Sequence, residues 1–202
     1  STFYSWLWQA GGDAIDTDSQ PPIFSGDAAI EALTLFQDAI TTGAAPRTRP
    51  ANGDIVSALT GGYAAMWQGG IFDVAALAQN APEYDYGIFS LPAPPDGDHT
   101  TCLGGWAWCV NSRGRDPEAA ARFTVEVMGS MRQESIDAGV EWNGVAKGNI
   151  AARASVTEAI GDSGAFEDPI LQQFRDQILP AGRAGPRFPP VIYKAVSNAI
   201  QA

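Results

Sequence analysis

Glycine pairs at 11–12, 61–62, 69–70 and 104–105 divide this chain into short apolar segments, because glycine in an element's interior weakens helix and strand alike. The segments alternate in pattern. A helix is predicted over 27–42, where Ile30, Leu33, Phe36 or Gln37, and Ile40 recur at helical spacing; Ser25 or Asp27 can cap its start, and Gly43 ends it. A shorter helix over 54–59 stops at Gly61-Gly62, and a third over 71–78 follows Gly69-Gly70 and breaks before Pro82. Between them, 63–67 and 86–91 read as short strands. Pro92, Pro94, Pro95 and Asp96-Gly97 form a loop of linker or hinge character. An apolar strand over 101–111 is interrupted by Gly104-Gly105. Asp116-Pro117-Glu118 then gives a strong helix start, with an N-cap, a proline at the first position and an acid in the first turn, and that helix runs to about Met131. A turn-rich stretch over 139–155 precedes two closing helices, 169–179 and 190–202. No internal repeat is evident. Short strands alternating with helices indicate an α/β protein.

With 202 residues, 45% of them apolar, the chain can build one large domain or two small ones. Its formal net charge of −11 repels nucleic acid, whose binding rests on Lys and Arg neutralising phosphates, and disfavours anionic membrane surfaces. Neutral or cationic ligands fit better, although acidity also serves solubility alone. No apolar run approaches the roughly 20 residues that cross a bilayer. The chain opens on Ser1-Thr2-Phe3-Tyr4 without a charged start or cleavage site, and Phe3, Tyr4, Trp6 and Trp8 read as the middle of a folded domain. The expectation is a truncated chain. Cys102 and Cys109 match no zinc or redox spacing. In an extended strand they would lie more than about 20 Å apart, too far for a disulfide. A bend at Gly104-Gly105 would bring them closer, so free thiols and a disulfide both remain open.

Catalytic chemistry has little to work with. His99 is the sole histidine and sits in the proline-rich loop, so no multi-histidine metal site can form. There is no Gly-x-Ser-x-Gly elbow, and no glycine pair leads into a Lys-Ser/Thr phosphate loop. The acids Asp13, Asp16, Asp18, Asp27, Asp73 and Asp85 fall mostly at expected caps and turns. No catalytic residue, metal ligand or cofactor is therefore assigned. The aromatics say more. Six tryptophans are many for this length, and several stand beside glycine or proline: Trp6 and Trp8 before Gly11-Gly12, Trp67 and Phe72 around Gly69-Gly70, Trp106 after Gly104-Gly105, and Tyr193 after Pro189-Pro190. A sugar ring has an apolar C–H face that a flat π-surface covers, while polar groups nearby bind its hydroxyls. Glycine beside an aromatic lets backbone approach such a ligand closely. Each tryptophan taken singly reads as well as a core residue.

In order along the chain stand Trp6-Leu7-Trp8-Gln9-Ala10-Gly11-Gly12-Asp13, Ala28-Ala29-Ile30-Glu31-Ala32-Leu33, Gly62-Tyr63-Ala64-Ala65-Met66-Trp67 with Gly69-Gly70-Ile71-Phe72, Tyr86-Gly87-Ile88 with Leu91-Pro92, Leu103-Gly104-Gly105-Trp106, Pro186-Arg187-Phe188-Pro189, and Tyr193-Lys194-Ala195-Val196-Ser197. Together these phrases resemble the extracellular solute-binding proteins that serve ABC sugar importers, nearest to the maltose- and trehalose-binding types. The resemblance implies a periplasmic-binding-protein-like α/β fold with two lobes that close on ligand about a hinge. Full-length members are about twice this size, so the chain corresponds to the second half. Residues 1–98 and 141–202 would then belong to the C-terminal lobe, and 99–140 would cross the hinge and add a strand and a helix to the N-terminal lobe. The implied ligand is a di- or oligosaccharide, captured without catalysis. The implied partners are an importer permease and the missing N-terminal half. The implied location is extracytoplasmic, with a lipid anchor on the precursor.

The resemblance also implies site residues. Phe3 falls where a lobe aromatic stacks on sugar, and Phe72 where relatives often carry tryptophan. Trp106, after Gly105, falls at the hinge. Tyr193 begins the last helix, and Arg187 precedes it where trehalose-type relatives donate to hydroxyls. Trp6 and Trp67 belong to the same aromatic–glycine phrases. A non-sugar solute such as a glycerophosphodiester would need a cluster of arginines, of which only Arg187 is apparent. A carbohydrate-active enzyme would need a working pair of acids.

Overall fold

The computed structural model describes residues 2–14, 26–48 and 53–201. Ser25, Asp16, Asp18 and the end of the last helix at Ala202 lie outside them. The described residues form nine α-helices, α1 (Thr2–Gln9), α2 (Asp27–Thr41), α3 (Ile55–Thr60), α4 (Ile71–Asn80), α5 (Pro117–Gly129), α6 (Gln133–Val140), α7 (Ala154–Asp162), α8 (Pro169–Gln173) and α9 (Pro190–Gln201). Two short strands, β1 (Thr101–Leu103) and β2 (Gly182–Ala184), pair in parallel with Thr101 opposite Gly182 and Leu103 opposite Ala184. A parallel pair needs a long crossover, and here the chain between the strands carries α5 to α8. The α/β class stands.

The capped helices follow their sequence signals. Asp54 accepts from the Ser57 N–H at 2.8 Å, and Asp116 accepts from the Ala119 N–H at 2.9 Å ahead of Pro117. Each such cap is worth about 1 kcal/mol. Asp168 does the same before Pro169, accepting from Ile170 at 2.7 Å. That helix is α-helical only to Gln173; a π-helical turn, Phe174–Ile178, and a 3-10 turn, Leu179–Ala181, then lead into β2. Gly26 takes the N-cap position of α2, and Asp27 is the first residue of the helix.

Four expectations need correction. Residues 63–67 and 86–91 form no strand. The strand expected over 101–111 pairs only as far as Leu103, because β2 spans just three residues. A short apolar run becomes a strand only beside a partner. Part of the stretch read as turns is helical, since α6, a π-helical segment at Glu141–Ala146 and α7 fall within or beside 139–155.

The chain clusters into two units. The first comprises Ser1–Arg49, Phe89–Gly104 and Ile178–Ala202; the second comprises Pro50–Ile88 and Gly105–Gln177. In the first, the core joins Phe3, Tyr4, Leu7 and Trp8 of α1 to Ala29 and Ala32 of α2, with Leu33, Phe36, Cys102 and Phe188 packed around them. Ile30 points away and is exposed. The face of α2 turned inward is thus richer in alanine than its Ile/Leu periodicity suggested, which leaves room for the large rings of α1. In the second unit, Val156, Ile160 and Phe166 form a core supported by Val140, Ile150 and Leu171. Arg153 ties this unit together, donating to the Ser135 hydroxyl at 3.0 Å, to Ser155 at 2.8 Å and to the Ser130 carbonyl. By contrast, α5 has no buried residue, and its Phe123, Val125 and Met128 are exposed.

Candidate functional site

At the end of α1 the chain turns sharply. Gly11 adopts φ +79°, a left-handed conformation that favours glycine, and its N–H returns to Trp8 O at 3.0 Å. A side chain at Gly12 would meet Leu7 Cδ1 at 2.6 Å and the Ala28 methyl at 2.8 Å. The first glycine pair therefore serves packing of α1 on α2. The turn aims Asp13 back at Trp8. Its carboxylate accepts from the Trp8 indole N–H at 3.2 Å, from the Ala14 N–H at 2.6 Å and from Arg183. The Arg183 guanidinium also lies 4.8 Å from the centre of the Trp8 ring, a cation–π geometry. Partial burial pushes the Asp13 carboxyl up, but the three donors outweigh it and hold the group below the ordinary carboxylate range.

Trp6 packs beside this core with its ring edge-on to Phe36 at 6.1 Å, and Phe3 is buried within it. Tyr193, in the first turn of α9, keeps part of its ring exposed. Its hydroxyl donates to Pro186 O at 2.5 Å and accepts from the Phe188 N–H at 3.2 Å. Arg187, between those two contacts, is exposed and makes no ion pair among the described residues. A pocket of about 300 Å³ in the same unit has Trp8, Glu31, Asp96 and Asp98 on its walls. None of the eight candidate residues lines it, and Trp8 is already covered by Arg183, so we place no ligand there. The loop read as a linker is packed against α1: a side chain at Gly97 would meet Gln9 O at 2.2 Å, and His99 Nδ1 bonds Leu91 O at 3.0 Å.

In the second unit, Gly69-Gly70 lies between Trp67 and the first turn of α4, which carries Phe72. An added Cβ at Gly69 would lie 3.3 Å from Trp67 Cδ1, and one at Gly70 would lie 2.5 Å from the Phe72 ring. Asp73 accepts from the Gly70 N–H at 3.0 Å and so closes the start of α4. A Cβ at Gly69 would also meet the Asp73 carboxylate, whereas at Gly70 the nearest atoms belong to the Phe72 ring, which is 63% exposed and free to turn aside. Gly61-Gly62 is explained in the same way, by contact with Ser57 O at 2.7 Å and by φ +68° at Gly62.

Gly104-Gly105 differs. Neither glycine has a positive φ, and neither has a neighbouring atom within 4 Å of a would-be Cβ. Trp106, next in the chain, is 96% exposed. Nothing in the packing of the described residues calls for glycine here. Cys102 and Cys109, near this segment, are free thiols.

The model of the bacterial extracellular solute-binding proteins matches residues 1–160. This chain belongs to that family. Its fold agrees: a cyclic alpha-maltosyl-1,6-maltose binding protein from Arthrobacter globiformis superposes with a TM-score of 0.59 at 23% identity. The match covers 98% of this chain and 48% of that one, so this solute-binding protein chain spans about half the length of its structural relative. No curated protein matches it. The family is one of binding proteins that act outside the cytoplasm. Among the described residues no helix is long and apolar enough to cross a membrane, and no group of acids, cysteines and histidine is placed to hold a metal ion.

Proposed function

We propose that this chain supplies one wall of the carbohydrate cleft of an extracytoplasmic receptor, which captures a di- or oligosaccharide unchanged and presents it to an ABC importer permease. The observation that carries this reading is Trp106, 96% exposed behind two glycines that packing does not require. Holding an indole in water forfeits the 1.5–3 kcal/mol or so that burying a large apolar side chain returns. A sugar face is the natural cover for such a surface, with bare glycine backbone beside it for hydroxyls. Phe72 and Trp67 around Gly69-Gly70 are the further contacts we propose for the second unit, and Arg187 with Tyr193 those for the first; Phe3 and Trp6 support the first unit from within or beside its core. A net charge of −11 suits a neutral ligand. The Arthrobacter structural relative binds a maltose-derived sugar, as its name states.

On this reading 1–98 and 141–202 form the C-terminal lobe, and 99–140 enters the N-terminal lobe. The exposed apolar residues of α5, with Trp108 against Phe123 at 6.0 Å, are then covered by an N-terminal half of the receptor, whose precursor is lipid-anchored. Titration of the complete native protein with maltose, trehalose and larger α-glucosides should shift tryptophan fluorescence saturably, and Trp106→Ala should abolish most of the response. A flat titration across a broad oligosaccharide panel would sink the sugar reading.

A further inference from the structure

The resemblance implies Tyr193 and Arg187 as two separate ligand contacts, but their geometry links them. The Tyr193 phenol spans the tripeptide Pro186-Arg187-Phe188, donating to the carbonyl before Arg187 and accepting from the amide after it. The Phe188 ring rests edge-on against Tyr193, with centroids 5.9 Å apart, and also packs on the core of the first unit. Pro189 and Pro190 follow with fixed φ, and the Ile192 N–H closes on Pro189 O at 2.9 Å. One exposed arginine is thus carried on a backbone fastened on both sides. Its own guanidinium is uncommitted among the described residues.

We propose that Tyr193 is the positioning residue of Arg187: its hydroxyl fixes the backbone that presents the guanidinium to ligand hydroxyls. This rests on the carbohydrate reading of the site for its ligand, but the clamp itself does not. A preorganised arginine loses less freedom on binding than one on a loose segment, so the hydroxyl contributes affinity without touching the ligand. It also separates two roles for one residue, since a stacking ring needs no hydroxyl and a clamp does.

The test uses Tyr193→Phe in the native protein, which keeps the ring and removes both hydrogen bonds. Amide exchange at Phe188 should quicken about fivefold, the worth of one hydrogen bond. Maltotetraose affinity should fall by a similar factor. In an Arg187→Ala background the same substitution should leave the affinity where Arg187→Ala alone puts it. Unchanged exchange at Phe188 overturns the clamp, whatever the ligand does. Additive affinity losses overturn positioning and show that the hydroxyl reaches ligand independently. If maltotetraose and the wider panel fail to bind the native protein, the carbohydrate reading falls, and the exchange measurement alone decides the clamp.

Discussion

Trp8 and Trp106 stand beside glycine pairs in sequence and in opposite environments in the fold. Trp8 is 6% exposed, stacked on Tyr4 at 5.9 Å, satisfied at its N–H by Asp13 and covered by Arg183. Trp106 is 96% exposed, with open space at both neighbouring glycines. One sequence pattern therefore has two physical causes. At 11–12 the glycines let a chain double back and pack closely; at 104–105 they leave backbone and indole uncovered. What distinguishes them is a charge far along the chain, for Arg183 lies 170 residues from the Asp13 it meets.

The largest expected contrast follows from burial. Trp8→Ala removes a core ring and leaves Asp13 and Arg183 without their shared partner, a loss of about 3–5 kcal/mol. Against a total stability of about 5–15 kcal/mol this is enough to unfold much of the first unit. Trp106→Ala should change stability by less than about 0.5 kcal/mol. Urea unfolding of both variants reads the difference directly. Equal destabilisation would mean that Trp106 is a packed residue in the native protein, and the contrast would fail.

This contrast also marks how far the sequence could be read. The helices α2, α3, α4, α5 and α9 were legible because periodicity, proline and capping residues coincide with their ends. Missing from that reading was α1, whose Phe3, Tyr4, Leu7 and Trp8 are all buried, so no polar face marks the helical period. The starts of α6 and α7 gave no cap signal, since Arg132 and Arg153 stand at their N-cap positions and make no side-chain bond to the first-turn amides. The pairing of β1 with β2 depends on a three-residue partner that follows Pro180, and nothing local announces it. At the candidate site, the aromatic–glycine phrases were visible. The reason for each glycine was not, because a close approach such as Gly12 to Ala28 is made by tertiary packing.

The glycines themselves allow a second, smaller test. At Gly12 an added methyl must displace Leu7 and Ala28, which stand at 2.6 and 2.8 Å. Gly12→Ala should therefore cost about 1–3 kcal/mol through overpacking. Gly105→Ala meets open space at a φ that any residue adopts. It should be neutral, or stabilising by roughly 0.4–1 kcal/mol through the unfolded chain. Thermal melts of the pair sharpen the comparison, and a destabilising Gly105→Ala would reveal a contact at that glycine in the complete receptor.

The smallest expected effect concerns the charge that anchors Trp8. Burial alone would raise the Asp13 pKa, yet the bonds from Ala14, Trp8 and Arg183 keep it below the ordinary carboxylate value. The folded protein therefore binds this proton less readily than the unfolded chain does. The stabilisation is complete above the ordinary carboxylate pKa and is lost as pH falls through the lower folded value. Asp13→Asn keeps the size of the side chain and removes the charge, so it should cost about 1 kcal/mol at neutral pH, as expected for a half-exposed ion pair. The deficit should shrink on acidification, because the wild type loses the same interaction there. Stability curves of the two proteins should converge at low pH. Parallel curves would show that the Asp13 charge does not hold Arg183 over Trp8, and that the indole owes its burial to Tyr4 and the packing of α1 alone.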